Sequence, residues 1–251
     1  MCGRFALHSS RERLATRFSV ALSDLPELAP RYNIAPSQPV LVLRERQQAP
    51  QRAQRAGGER SQSVRVGELL RWGLVPHWAE RPEGLPSLIN ARLETLAERP
   101  AFRDALRSRR CLIPADGFYE WQAKGRGSRA ARTPYHVALA SGEPYAMAGL
   151  WEIWRPAGAP DAEPLRTCSI VTVPAQPEIA QIHLRMPLIL PPELEALWLA
   201  GDADLEKLLA RIQAALGSAL RAHPVSFDVN AVQNDGPALI LPVPDPRPSL
   251  F

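Results

Sequence analysis

The sequence predicts an α+β domain built mainly from antiparallel β-strands with a few flanking helices. Apolar or mixed segments of roughly four to eight residues recur along the chain and have the length of strands. The 26 prolines are scattered between these segments, as expected for turns that separate short strands. Helical spacing of apolar residues is confined to a few places. We therefore expect a single domain over residues 1–251.

The first two predicted elements are a strand and a helix. The strand is CGRFAL, at residues 2–7. Ser9 and Glu12 have the spacing of a capping box, which predicts that a helix begins there. Leu14 and Phe18 then lie on one face of that helix.

Two polar segments without apolar periodicity interrupt the later strands. Residues 44–63 and 124–133 are predicted to be mobile basic loops. Strands are predicted at 39–43, 64–74, 110–114, 118–122, 134–140, 145–151, 167–173, 187–190 and 224–229. Helices are predicted at 191–199 and 202–216, where Leu208, Leu209 and Ile212 have helical spacing.

Composition and motifs exclude several classes of protein. No run of about 20 apolar residues, as a membrane helix requires, is present, and the first residues lack the pattern of a secretory signal. The three cysteines (Cys2, Cys111 and Cys168) suit neither a disulfide framework nor a zinc site. Phosphate-binding loops and dinucleotide fingerprints are absent. We expect a soluble cytoplasmic monomer with no metal and no cofactor.

Positive charge is concentrated in the first half of the chain. Residues 1–133 contain 23 Lys and Arg against 13 Asp and Glu, a net charge of +10, whereas residues 134–251 have a net charge of −6. Nearly all of the cations are arginines, which bind phosphates in a bidentate manner. A polyanionic partner is one interpretation, and a set of solvated arginines is the other.

Cys2 could act as an N-terminal aminothiol. Aminopeptidases remove Met1 when a small residue follows, and the new terminus would then carry an α-amine and a thiol on adjacent carbons. Such a pair converts an aldehyde first into a Schiff base and then into a five-membered thiazolidine. With an α-amine pKa of about 7.7–8.0, a fraction of the amine is neutral at pH 7. Position alone favours an ordinary cysteine at the start of a strand.

Seven blocks in order resemble one family. The blocks are MCGRF at 1–5, RYNIAPSQ at 31–38, RWGLVPHWA at 71–79, INARLET at 89–95, RRCLIPADGFYEW at 109–121, AGLWE at 148–152 and IHLRMPLIL at 182–190. Together they are similar to the SRAP family, named for SOS response-associated peptidase and since regarded as abasic-site processing proteins. The resemblance covers nearly the whole chain, and it implies a cross-link between Cys2 and an abasic site in single-stranded DNA.

The resemblance also implies roles for individual residues. It makes Cys2 the nucleophile, Glu120 the catalytic carboxylate, His183 the catalytic histidine and Asn90 the amide that holds Cys2. The implied DNA contacts are Arg4, Pro36, Trp72, Arg92, Arg99, Trp121 and Thr172. The chain departs from the family at residues 171–176, which leaves the role of Thr172 open, and at Leu184, where a polar residue is common.

The residue types are compatible with these roles. Glu120 lies in an aromatic and apolar run, so desolvation would raise its pKa and suit it to general acid and base catalysis. A histidine such as His183 can move protons near neutral pH. Taken alone, Glu120 could be a surface carboxylate, Asn90 a helix cap and His183 a structural residue.

Three functions remain open at this level. The first is a DNA-protective enzyme that binds single-stranded DNA at abasic sites, is associated with the nucleoid during repair, and can incise the strand through its Schiff base. The second is an N-terminal-nucleophile thiol peptidase that removes its own methionine. The third is a non-catalytic module for single-stranded DNA, built on arginines and tryptophans.

Overall fold

Strands dominate the part of the chain that can be described. The structure is a computed structural model that describes residues 2–47, 63–82, 88–123, 132–156, 158, 161–200, 204–214, 217 and 219–244. Within these ranges it has thirteen strands and five α-helices. This confirms the predicted α+β class.

The elements follow one another in mixed order. The strands are β1 (Arg4–Leu7), β2 (Arg31–Ile34), β3 (Pro39–Gln47), β4 (Ser63–Trp72), β5 (Asn90–Arg92), β6 (Arg110–Ala115), β7 (Gly117–Ala123), β8 (Arg132–Leu139), β9 (Tyr145–Trp154), β10 (Leu165–Pro174), β11 (Arg185–Pro187), β12 (Ile189–Leu190) and β13 (Leu220–Pro224). The helices are α1 (Arg11–Phe18), α2 (Pro100–Ser108), α3 (Pro177–Ala180), α4 (Pro192–Leu199) and α5 (Leu205–Ala214).

The strands form two sheets. The first sheet has five antiparallel strands in the order β13-β8-β7-β1-β2. In the second sheet β3, β4, β10, β9 and β6 each pair with two others of the set, so these five strands close into a ring. The ring is closed by short pairings, at residues 71–72 between β4 and β10 and at Leu43 between β3 and β6. The short strand β5 runs parallel to β10 and pairs with it through residues 170–172.

Strand β1 contributes side chains to two hydrophobic cores. Phe5 and Leu7 belong to the large core that includes the closed ring of strands. Ala6 points to the other face and packs with Tyr119 and Val229 in a smaller core. Alternation of side chains along a strand produces this division. The residues just before β1 are therefore attached to a strand that is fixed between the two cores.

The start of α1 differs from the prediction by one residue. Ser10, not Ser9, is the N-cap, and its side chain accepts a hydrogen bond from the Arg13 N–H. Ser9 is instead held by Asp116, whose carboxylate accepts bonds from both the backbone N–H and the hydroxyl of Ser9. Asp116 is distant in sequence, so the local pattern around Ser9 does not reveal that Ser9 binds Asp116 and does not cap the helix. Leu14 and Phe18 are buried as predicted.

Several boundaries also need correction. The predicted loop 44–63 is wrong at its ends, because β3 continues to Gln47 and β4 begins at Ser63. The predicted loop 124–133 likewise loses its last two residues to β8. Cross-strand pairing extends these strands into polar sequence. The remainder of both predicted loops lies outside the described residues.

The C-terminal part holds two further differences. Only Pro224 of the strand predicted at 224–229 belongs to a strand, because β13 ends there. Residues 227–230 form a 3-10 helix instead. Of the helix predicted at 202–216, residues 205–214 form α5, Asp204 precedes it, and residues 202–203 and 215–216 lie outside the described part of the chain. In the described parts of the chain no helix is both long and apolar enough to cross a bilayer.

Candidate active site

Cys2 lies immediately before β1 and is fully buried. Its exposed fraction is 0%, and its thiol donates a hydrogen bond to the Arg4 carbonyl oxygen at 3.6 Å. Burial raises the pKa of this thiol well above its usual range, and the negative charge of Glu120 acts in the same direction. The thiol is therefore held in its protonated form.

Asn90 binds the backbone of Cys2. The first residue of β5, Asn90 is paired with Ile170 of β10, and its Nδ2 donates to the Cys2 carbonyl oxygen at 2.8 Å. The Oδ1 atom of Asn90 is buried and accepts no hydrogen bond from the described residues. An unused acceptor therefore lies beside the backbone of Cys2.

Glu120 is a buried carboxylic acid on β7. It is 2% exposed and lies on the same face of the strand as Phe118, which packs in the large core. Burial raises the pKa of the Glu120 carboxyl, and its interaction with His183 lowers it in part. A carboxyl with a raised pKa can both donate and accept a proton near neutral pH.

His183 connects this carboxyl with solvent. Its Nδ1 lies 3.8 Å from Glu120 Oε1, and 31% of its side chain is exposed. The Arg185 backbone N–H donates to the same Nδ1 at 3.0 Å. The Arg185 carbonyl oxygen lies 3.0 Å from the same Nδ1, so the backbone of Arg185 contacts this nitrogen through both its N–H and its C=O. His183 can thus pass a proton between the buried carboxyl and a molecule at the surface.

Three of the predicted DNA contacts lie on β5, on its partner β10 and at the start of α2. Arg92 of β5 is exposed and is paired with Thr172 of β10. Thr172 is buried, and its hydroxyl donates to the Ala91 carbonyl oxygen at 3.4 Å. Arg99 is exposed at the N-terminal end of α2. Of these three, the two arginines are accessible to a ligand.

The family follows from a comparison with known proteins. A family model described as "SOS response associated peptidase (SRAP)" matches residues 1–232. The chain belongs to the SRAP family. This confirms the resemblance that the seven sequence blocks indicate.

Relatives and solved structures agree with this assignment. A Bacillus subtilis (strain 168) protein named "Abasic site processing protein YoqW" is 38% identical over 243 residues, which cover 96% of this chain and 99% of that protein. The Gallus gallus protein "Abasic site processing protein HMCES" is 31% identical over 288 residues, covering 97% of this chain and 78% of that protein. A crystal structure of a Bacteroides thetaiotaomicron protein has a TM-score of 0.73 at 20% identity, covers 96% of this chain and 100% of that one, and supports the fold alone.

Trp72 of this SRAP chain is a core residue. Its exposed fraction is 0%, it packs edge-on against Phe5, and its Nε1 donates to the Ile89 carbonyl oxygen at 2.8 Å. The expected base contact is therefore wrong. Leu70 and Leu74, two residues away on either side, are also buried, so strand alternation directs Trp72 inward. Its bond to Ile89 supports the residue next to Asn90.

Arg4 is engaged by the C-terminal segment. Its guanidinium donates to Asn33 Oδ1 at 2.8 Å, to the Val229 carbonyl oxygen at 2.7 Å and to the Asn230 carbonyl oxygen at 3.3 Å. Trp121 is half-buried and donates to the Asn230 side chain at 2.8 Å. This geometry does not support Arg4 as an open phosphate ligand. Pro36 is half-buried in the turn between β2 and β3.

Trp78 is an aromatic residue that the sequence analysis missed. It is 55% exposed, which is unusual for so large an apolar side chain. Its loop is anchored on both sides of it, by a bond between the Val75 N–H and the Thr167 hydroxyl and by one from Trp154 Nε1 to the Ala79 carbonyl oxygen. The position after Pro76, beyond the alternating residues of β4, is a signal that could have separated Trp78 from Trp72.

Metal ligands and disulfides are not a feature of this site. The described part of the chain contains no group of three or more His, Cys, Asp and Glu residues placed to hold a metal ion. All three cysteines are free and buried.

Proposed function

We propose that this protein processes abasic sites in single-stranded DNA by forming a covalent link through the amine and thiol of Cys2. The relatives carry the name abasic site processing protein, and the chain shares their family. The observation that carries the proposal is the convergence of Asn90, Glu120 and His183 around Cys2. Removal of Met1, which lies outside the described residues, would complete the reactive group.

The first chemical step exposes an aldehyde. An abasic deoxyribose is mostly a closed hemiacetal, so its ring oxygen must gain a proton while its hydroxyl loses one. Glu120 suits both transfers because its pKa is raised by burial, and His183 connects it with solvent. The α-amine of Cys2 then attacks the aldehyde carbon, and the resulting carbinolamine loses water to give a Schiff base.

Ring closure follows through the thiol. The thiol hydrogen passes to a base as sulfur bonds to the carbon of the protonated imine, and the π electron pair of the C=N bond moves to nitrogen, so that overall one aldehyde and one aminothiol give a thiazolidine and one water. Because Cys2 is held protonated before reaction, the amine acts first in this scheme. The positive charge of the protonated imine then lowers the pKa of the adjacent thiol and permits closure. Opening of the ring would return the Schiff base, from which the strand can be incised.

The DNA contacts in this proposal are Arg92, Arg99 and Trp78. The two arginines are exposed beside β5 and α2, where they can bind phosphates. Trp78 replaces Trp72 as the platform for base stacking, which contributes about 1–3 kcal/mol per base without regard to sequence. Its loop begins after Leu74, two residues beyond the end of β4, and Leu74 pairs with Leu88, two residues before Asn90.

A peptidase is the second candidate, and the description of the family model supports it. Cys2, Glu120 and His183 are residue types that a thiol peptidase employs. Such an enzyme depends on a thiolate, whereas burial holds the Cys2 thiol protonated. We therefore rank the peptidase below the aldehyde chemistry.

One experiment tests the proposed function. The purified protein is incubated with a single-stranded oligonucleotide that contains one abasic site and is then resolved on a denaturing gel. We expect a species that survives denaturation in the wild type and in Cys168→Ala, a matched change at another buried cysteine. Cys2→Ala keeps an α-amine but no thiol, so it should yield only a borohydride-trappable Schiff base and more strand incision.

Other outcomes select the alternatives. Binding without any denaturation-resistant species would indicate a non-catalytic DNA-binding module. Cleavage of peptides without cross-linking would indicate the peptidase. Equal cross-linking by protein that retains Met1, as determined by mass spectrometry, would rule out the thiazolidine.

A further inference from the structure

Arg185, at the start of β11, makes an unusual set of contacts for a residue beside the candidate site. Its Nη1 donates to Glu94 Oε1 at 2.7 Å and its Nη2 donates to Glu94 Oε2 at 3.0 Å, a bidentate ion pair. The same Nη2 lies 2.7 Å from the Thr172 carbonyl oxygen and 3.2 Å from the Thr172 hydroxyl. Charge-assisted bidentate pairs fix geometry more strictly than single bonds do.

The backbone of Arg185 contacts a different group. Its N–H donates to Nδ1 of His183 at 3.0 Å, on the side of the ring that faces Glu120. One residue therefore holds the imidazole with its backbone and holds Glu94 and Thr172 with its guanidinium. Displacement of the guanidinium would also displace the segment that carries His183.

Glu94 and Thr172 connect Arg185 with the rest of the site. Glu94 lies in the 3-10 turn Leu93–Thr95, directly after the strand that carries Asn90 and Arg92. Thr172 is the partner of Arg92 in the β5–β10 pairing. The contacts of Arg185 thus join the His183 segment to the strand that holds Cys2 through Asn90.

We infer that Glu94 and Arg185 form a clamp that positions His183 relative to Asn90 and Cys2, and that this clamp sets the rate of the reaction at abasic sites. The inference rests on the proposed function. Both residues act through others and do not touch the reacting atoms, so they are positioning residues. A misplacement of about 1 Å in such a site can slow a reaction by about a hundredfold.

The energetics agree with a local role. The Arg185 side chain is 17% exposed and that of Glu94 is 41% exposed, so the pair contributes little to overall stability. Desolvation acts to raise the pKa of Glu94, but the hydrogen bonds and charge of Arg185 outweigh it and hold that pKa below its usual range. The carboxylate is therefore ionised, and the ion pair intact, at neutral pH.

A phosphate-binding role for Arg185 makes a different prediction. Lysine would keep the positive charge for a phosphate but could not form the fork of bonds to Glu94 and Thr172. Removal of the Glu94 charge would free the guanidinium and strengthen DNA binding. Substitutions at the two positions therefore distinguish a clamp from a phosphate ligand.

The test separates rate from affinity. Glu94→Gln, Arg185→Lys and the double variant are compared with wild type for the cross-linking rate at saturating abasic-site DNA. Affinity is measured with an oligonucleotide that contains tetrahydrofuran in place of the abasic sugar, which has no aldehyde and cannot cross-link. We expect each single variant to be about tenfold slower or more, with the affinity for this oligonucleotide unchanged in both.

The double variant and a control complete the comparison. If the two residues act as one unit, the double variant is no slower than the slower single variant. Glu143→Gln removes the same charge from another arginine pair, in which Arg13 lies 3.0 Å from Glu143, and should leave the rate unchanged. Retention of the wild-type rate by Arg185→Lys, or a loss confined to affinity, would overturn the clamp.

A spectroscopic measurement keeps the inference independent of the reaction. In the wild type, where the Arg185 backbone holds Nδ1, the ¹⁵N shifts of His183 should show one dominant tautomer, and Glu94→Gln should shift them towards a mixture of tautomers. If the wild type forms no cross-link, the proposed function fails, and the clamp is judged on these shifts alone. Identical shifts in wild type and Glu94→Gln would refute it.

Discussion

Burial sets the protonation of the two groups closest to the chain terminus. Cys2 is 0% exposed and Glu120 is 2% exposed, and for both groups desolvation is the largest cause of a raised pKa. The site thus combines a neutral thiol, that of Cys2, with a carboxyl of raised pKa, that of Glu120. Such an arrangement suits a sequence in which an amine reacts first and a thiol second, with the carboxyl exchanging protons in both steps.

Glu120→Gln should reduce activity and increase stability at alkaline pH. Removal of the acid and base should slow cross-linking by about a hundredfold or more. Between the ordinary carboxyl pKa and the raised pKa of Glu120, the folded state binds more protons than the unfolded state, so the free energy of unfolding falls as pH rises. Glutamine does not ionise and avoids this loss. At pH 8 the variant should melt about 2–4 °C higher, which corresponds to about 1 kcal/mol.

Calorimetry over a pH series checks the sign. The difference in Tm between Glu120→Gln and wild type should shrink towards pH 4, where the wild-type carboxyl is protonated in both states. A variant that is less stable than wild type at pH 8 would show that the charged form of Glu120 is stabilising, contrary to the effect of its burial.

At the scale of elements, β4 and the loop after it each carry one tryptophan, and the environments of the two are opposite. Trp72 ends the strand and is fully buried, whereas Trp78 is 55% exposed in a loop held by Thr167 and Trp154. His77, next to Trp78, adds a contact between its Nδ1 and Glu152 at 3.1 Å. An exposed aromatic on an anchored loop suits base stacking, because the side chain loses little freedom on binding.

Trp78→Ala should therefore weaken DNA binding, whereas Trp72→Ala should reduce stability. Loss of the exposed indole should weaken binding to single-stranded DNA by about 1–3 kcal/mol, measured by fluorescence anisotropy, with little change in Tm. Loss of the buried indole should reduce the free energy of unfolding by about 3–5 kcal/mol, measured by denaturant titration. Unchanged DNA affinity in Trp78→Ala would exclude this loop from the interface.

The same scale shows what the sequence could and could not predict. Strand positions follow from apolar patterns, and Cys2 with the three residues around it follows from motifs; both are local features of the chain. Two of the three partners of Arg4, Val229 and Asn230, lie more than 200 residues away, and no local pattern records them. Helix α2 was missed although Pro100 at its first position and the buried Phe102, Ala105 and Leu106 have helical spacing.

At the scale of the whole molecule, positive charge is concentrated in the first half of the chain, which also carries most residues of the proposed site. The first 133 residues have a net charge of +10 and the remainder −6. Asn90, Arg92 and Arg99 belong to the basic half, and His183 belongs to the acidic half. Exposed arginines beside the site, such as Arg92 and Arg99, attract a polyanion and make its affinity depend on salt.

Arg92→Gln should reduce this salt dependence, and Arg221→Gln should not. Both arginines are exposed on strands, but Arg92 lies beside Asn90 whereas Arg221 lies on β13 in the acidic half. Each phosphate contact to a single strand contributes about 0.7 to the slope of log affinity against log salt concentration. Titrations of the tetrahydrofuran oligonucleotide at several salt concentrations should therefore give a slope smaller by about 0.7 for Arg92→Gln and unchanged for Arg221→Gln. Equal effects of both substitutions would mean that the DNA responds to total charge and not to a contact at β5.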